Sequence, residues 1–347
     1  MSDRYLQNTL KLPNINECDP KKFEKFIVDN VDVILSQYPA ANNTHDFDVF
    51  NGYGGIAFMF FRLHQLFPDL TINGNKVSLL CATYLSAALS AVRRSSQEHV
   101  GFLGSHVGPL ALAVVVYETI ENDTQKSLKY LDTILEKYHS LALKDDWNEL
   151  LYGRTGYLYS LIFIRKYCKD NVEIMTRVGN EKLKEIIELI IKDAGIITII
   201  LHCEELAQPY FDELFQTIEW LTGLVPQDKN HPADTQSTDD YLVQKGATGL
   251  CHNTLGNAYT FLMTYLVTQD EEQLKRALAF GLYGGEWEDK TRKGEIRVPD
   301  HPWSLFEGLA GGIVYWADLI TVLKDVQQLG VSSMQDKVVG FPCFTDL

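Results

Sequence analysis

The chain has 347 residues, 46% of them hydrophobic, which is enough to bury a large core. Its formal charge of -15 excludes nucleic acid as a main partner, because phosphate binding needs clusters of Lys and Arg that no stretch provides. The six cysteines, at positions 18, 81, 168, 203, 251 and 343, include no Cys-x-x-Cys pair, so a reducing, cytoplasmic setting is expected rather than a disulfide framework.

The start, Met1-Ser2-Asp3-Arg4-Tyr5, carries no basic and then apolar leader pattern. Residues 1–20, with Pro13, Asn14, Asn16 and Pro20, read as a polar arm ahead of a single domain over 21–347. Helical periodicity begins at Lys21. There Phe23, Phe26, Ile27, Val31, Ile34 and Leu35 fall on one face of a helix expected to end near Tyr38-Pro39. Gly52-Tyr53-Gly54-Gly55 then leads into Ile56-Ala57-Phe58-Met59-Phe60-Phe61, apolar almost all round, which predicts a helix buried on every side.

The same device recurs along the chain. It stands at Ser105-His106-Val107-Gly108, at Gly153-Arg154-Thr155-Gly156, around Asn253 to Gly256, and at Gly308-Leu309-Ala310-Gly311, with a degenerate copy at Ala194-Gly195. The last glycines, 55, 108, 156, 195, 256 and 311, lie 39 to 61 residues apart, a helical-hairpin period. Between them run amphipathic, charge-bearing stretches such as 125–143 and 182–192. Buried helices alternating with amphipathic ones predict an all-α chain forming an α/α toroid of about six hairpins; an open α-solenoid is the alternative. The sector over about 195–250 is expected to be the least regular, with Pro226 to Asp240 as a loop. The most apolar window, Val107 to Tyr117, is too short to cross a bilayer, and the window from Ile186 to Leu201 carries Glu188, Lys192 and Asp193. No transmembrane segment is expected, and peripheral attachment at the plasma membrane stays open.

Chemistry concentrates in Lys245-Gly246-Ala247-Thr248-Gly249-Leu250-Cys251-His252-Asn253-Thr254-Leu255-Gly256. A thiolate and an imidazole side by side, in glycine-rich backbone at the start of a helix, suit a soft cation such as zinc. The pair supplies two ligands, and zinc needs three with an exchangeable position, or four.

The phrases Leu150-Leu151-Tyr152-Gly153-Arg154-Thr155-Gly156-Tyr157, Gly249-Leu250-Cys251-His252 and Ser304-Leu305-Phe306-Glu307-Gly308-Leu309-Ala310-Gly311, with the ending Phe341-Pro342-Cys343-Phe344, resemble the eukaryotic LanC-like proteins, relatives of bacterial lanthionine cyclases. The resemblance implies a toroid, usually of seven hairpins, and a central zinc that activates a thiol for addition to dehydroalanine or dehydrobutyrine in peptides. In the eukaryotic branch that thiol is glutathione. It also implies Cys251 and His252 as zinc ligands, and Lys245 with Arg297-Val298-Pro299-Asp300 as glutathione contacts. Two family motifs have no match: Trp-Cys-His-Gly-Ala-Pro-Gly, which brings another zinc cysteine, and Ala-His-Gly-Leu-Ala-Gly, of which Ala194-Gly195 remains. Asn253 also replaces the usual glycine. A degenerate zinc site is therefore expected; the alternative is recruitment of His231, His202 or Cys203 in place of the missing ligand, and Glu149 is the positional candidate for the acid. The competing functions are a glutathione- or peptide-binding scaffold without turnover and a six-hairpin glycosidase using Asp46, Asp48 and Glu307.

Overall fold

The structure is a computed structural model that describes residues 5–6, 10–42, 45–96, 99–192, 243–244, 248–251, 254–331 and 340–343. Most of these residues are helical. Two short antiparallel pairs are the only strands among them: Tyr5–Leu6 with Val243–Gln244, and Thr71–Ile72 with Asn75–Lys76. The second pair turns on Asn73 and Gly74, both at positive φ, which suits a two-residue hairpin. Among the described residues no helix is long and apolar enough to cross a membrane.

Helix α1, Pro20–Gln37, begins where periodicity predicts. Asp19 caps it by accepting the Lys21 amide at 2.9 Å, and Pro20 takes the first helical position, where a missing N–H costs nothing. Its buried face carries Phe23, Ile27, Val31 and Ile34. The expected arm is tied down in part. Ile15, in a short 3-10 turn over Ile15–Glu17, is buried, and the Gln327 amide donates to the carbonyls of Ile15 and Cys18, each at 2.9 Å.

The glycine device opens a helix at every described copy. These are α2 (Tyr53–Leu66), α4 (Val107–Thr119), α7 (Arg154–Tyr167), α10 (Thr254–Thr268) and α13 (Leu309–Leu329), with the expected glycine second or third in each. All residues from Tyr53 to Leu63, from Val107 to Val116 and from Arg154 to Ile164 are buried, as an all-round apolar sequence requires. The copy at Ala194-Gly195, the sector after it up to Leu242 and the loop expected at Pro226 to Asp240 lie outside the described residues. Between the buried helices come α3 (Val77–Arg94), α5 (Thr124–Thr133), α6 (His139–Ala142), α8 (Val172–Arg177), α9 (Asn180–Lys192), α11 (Glu271–Gly285) and α12 (Trp287–Arg292). The single helix expected over 125–143 is α5 running through a wider turn, Ile134–Tyr138, into α6.

One contact explains the glycines. A Cβ at Gly108, Gly156, Gly256 or Gly311 would strike the carbonyl oxygen of the residue six places earlier: Phe102, Leu150, Leu250 or Leu305. The chain before each of these helices folds back so closely over its first turn that only a hydrogen fits. Gly153 and Gly308 meet the carbonyls of Trp147 and Pro302 in the same way.

The chain divides into two compact units. In the first (Met1–Asp46, Phe50–Ala87 and Ser237–Asp346), α13 packs on α1, α2, α10 and α11. The Tyr315 hydroxyl and the Trp316 indole donate to the carbonyls of Ala277 and Gly281, which fixes α13 to α11. At its centre Arg62, from α2, donates to both carboxylate oxygens of Asp318 at 3.0 and 3.1 Å, and Tyr259 and the Gly340 amide donate to the same carboxylate at 2.9 and 3.1 Å. Both charged side chains are fully buried. In the second unit (Phe47–Val49, Ala88–Gln236 and Leu347), α4 packs on α5 and α7, and α7 on α9.

Two substitutions test these constraints. Gly156→Ala puts a methyl into backbone atoms of Leu150, Gly101 and Phe102 and is expected to lower stability by at least about 2 kcal/mol in a urea titration. Asp318→Ala strands the Arg62 charge in the core and is expected to cost about 3–5 kcal/mol or to abolish folding, whereas a loss within measurement error would show the pair to be dispensable.

Candidate functional site

Cys251 stands in the short strip that leads into α10. Thr248 and Leu250 are buried and Cys251 is half-exposed. The Cys251 amide donates to the Phe306 carbonyl at 2.6 Å, and Gly249 lies so close to the backbone of Phe306 and Glu307 that a side chain there has no room. Phe306 is itself held by Phe50, through its amide at 3.2 Å and through stacked rings 4.8 Å apart. The loop that opens α13 therefore supports the loop that carries Cys251.

That loop begins at the Arg-x-Pro-Asp segment. Ile296 is buried and anchors one end, next to Lys290, whose ammonium sits 4.0 Å from the centre of the Tyr283 ring. At the other end Ser304 bonds back to the His301 carbonyl through both its amide (3.1 Å) and its hydroxyl (2.9 Å), and Leu309 donates to Pro302 at 2.9 Å. Between these anchors Arg297, Val298 and Asp300 are exposed and Pro299 is half-exposed. Among the described residues neither Arg297 nor Asp300 takes part in an ion pair. Guanidinium and carboxylate are both presented to solvent, with their first-unit anchors leading straight to the cap of α13.

Lys245, His252 and Asn253 lie outside the described residues, as do His231, His202 and Cys203. Among the described residues no three His, Cys, Asp or Glu side chains gather to hold a metal. Cys251 has the donor chemistry zinc needs, yet burial, and after it the Glu307 carboxylate, push its thiol above the ordinary value.

Glu149 belongs to the second unit and is half-buried. Its two carboxylate oxygens accept the amides of Leu151 (2.6 Å) and Tyr152 (2.7 Å), a turn-shaping arrangement. The carbonyls of those residues accept in turn from Gly104 (2.8 Å) and from Val100 and Gly101 (2.9 and 2.7 Å). Asp46 has a similar duty, accepting the Tyr38 hydroxyl at 2.8 Å. His106, in the second copy of the glycine device, has its ring nitrogens 2.7 Å from the Ser95 hydroxyl and 2.8 Å from the Tyr138 hydroxyl, and burial, with Lys137 nearby, pulls it down to about 4. Sequence reasoning passed over Phe306, which connects the Cys251 loop to Phe50. Its recurrence in the phrase Ser304 to Gly311 was the available signal.

Removing the Glu307 charge takes away one of the two influences that raise the Cys251 thiol. Glu307→Gln is expected to move the pH midpoint of Cys251 alkylation downward, read by peptide mass spectrometry across a pH series. An unmoved midpoint would show that the carboxylate does not act on the thiol.

A family model described as lanthionine synthetase C-like protein matches residues 43–214. Glutathione S-transferase LANCL1 of Danio rerio is 27% identical over 379 aligned residues, covering 85% of this chain and 84% of that protein. LanC-like protein GCL1 of Arabidopsis thaliana is 23% identical over 352, covering 79% and 78%. The mostly helical described residues, the repeated glycine-opened helices and these matches point the same way: the chain is similar to the lanthionine synthetase C-like proteins, whose fold is the α/α toroid.

Proposed function

We propose that the chain is a glutathione-binding member of this family with an incomplete zinc site, in which Cys251 and His252 are the remaining protein donors. Lys245 and Arg297-Val298-Pro299-Asp300 hold the tripeptide. The observation that carries the reading is the pair Arg297 and Asp300, exposed and without an ion pair among the described residues, on a loop whose far end supports Cys251. Glutathione carries two carboxylates and an ammonium, so a planar guanidinium beside a free carboxylate is a matched set of contacts. The name of the Danio rerio relative, a glutathione S-transferase, supports the same ligand.

Zinc, when bound, would lower the pKa of a thiol at this position. The motif match supplies two donors, Cys251 and His252, and each lost thiolate weakens the hold on the ion. Glu149 is given no part as an acid, since two amides already occupy its oxygens. Glutathione addition to a dehydroalanine-containing peptide is therefore expected to be slow or absent, and peptides enter as ligands rather than as rapidly turned-over substrates.

Calorimetric titration with glutathione tests the binding half. Arg297→Ala is expected to weaken affinity at least about tenfold, and an unchanged affinity would remove the main support. Elemental analysis after dialysis tests the metal half: much less than one zinc per chain is expected, and stoichiometric zinc that disappears in Cys251→Ala would overturn the incomplete site.

A further inference from the structure

The segment Gly340–Cys343 has no part in the reading above, yet it is built into the surroundings of Cys251. Gly340 is buried; its amide donates to Asp318 at 3.1 Å and its carbonyl accepts from Arg62 at 3.5 Å. The next residue, Phe341, sets its ring edge-on against Tyr259, with centroids 5.1 Å apart, and against Phe306, at 6.5 Å. Pro342 and Cys343 are buried in turn.

These two rings belong to the two elements that fix Cys251. Tyr259 lies on α10, the helix the Cys251 strip runs into, and Phe306 supplies the carbonyl that receives the Cys251 amide. Phe50 stacks on Phe306 as well, so Phe306 is gripped by two aromatic rings. Tyr259 donates to the same carboxylate that holds Gly340, so the segment and the helix share one buried anchor. A ring at position 341 sets the separation between α10 and the 304–307 loop, and a small side chain there leaves a gap into which either can shift.

We propose that Phe341 is a positioning residue for Cys251, acting through Phe306 and Tyr259 from the buried Arg62–Asp318 pair. The inference goes beyond the proposed function, because it concerns how the cysteine backbone is held; it rests on that reading only for which ligand the thiol would bind.

The test is the rate of iodoacetamide alkylation at each cysteine of the full chain, in the presence of a chelator, followed by peptide mass spectrometry. Phe341→Ala is expected to raise the Cys251 rate about tenfold while half-exposed Cys18, the internal reference, stays within about twofold. Phe341→Tyr, which keeps the ring, should restore the original rate. Phe163→Leu, which loosens the α7 core through its contacts with Phe102, Tyr159 and Tyr167, should lower the melting temperature and leave Cys251 alone. The proposal is overturned if Cys251 does not respond to Phe341→Ala, or if it responds no more than Cys18 or no more than it does to Phe163→Leu. Should the Ala variant fail to fold, Phe341→Leu is read by the same criteria. Because the measurement uses metal-free protein, a chain that never binds glutathione would sink the proposed function and leave this result standing.

Discussion

The closest constraint in this molecule is a backbone carbonyl resting on the first turn of a helix. At Gly108, Gly156, Gly256 and Gly311 the oxygen six residues earlier sits where a side chain would begin. The position of each preceding loop is thereby fixed to its helix without any side chain taking part. The loops can then support one another: Gly104 on Leu151, Gly101 on Tyr152, Cys251 on Phe306, Phe306 on Phe50, all through main-chain atoms.

Much of this was legible in the sequence because glycine leaves a trace that no other residue can supply. The positions of five helices follow from the recurring glycines, and the apolar stretches after Gly55, Gly108 and Gly156 mark three of them as buried on every side over most of their length. Amphipathic spacing set α1 to within a residue at either end. The anchored arm was not legible, since the bonds that tie Ile15 and Cys18 come from Gln327, a residue more than three hundred places away with nothing local to announce it. The buried Arg62–Asp318 pair was hidden for the same reason: each partner stands alone in an apolar run, and only the fold brings the two together. Glu149 illustrates a different limit. Its place just before Gly153 was visible in the sequence, while its role depended on which donors the turn aims at it.

Around Cys251 the charges work against a bare thiolate. The chain is strongly acidic, Glu307 faces the thiol, and burial adds to both. A cysteine in such surroundings rests as a thiol and is a poor nucleophile by itself. Arg297 stands at the opposite end of the supporting loop and is exposed. Arg297 and Cys251 therefore lie on two different segments, joined where the Cys251 amide meets the Phe306 carbonyl.

The Arg62–Asp318 pair has a consequence in time. Its partners are 256 residues apart, and Trp287 with Asn30 and Lys324 with Glu24 span comparable distances. A ribosome delivers α1 and α2 early; α2 meets Tyr84 of α3 at once through Tyr53 and Phe60, but the sides of α1 and α2 that pack on α13 are left in want of it. For most of synthesis those sides have no native partner, whereas the second unit, drawn mainly from the middle of the chain, can close while its own residues are still emerging. The first unit must be kept from sticking until nearly the last residue has been added, so the nascent chain is a client for whatever in the cell shelters exposed apolar helices.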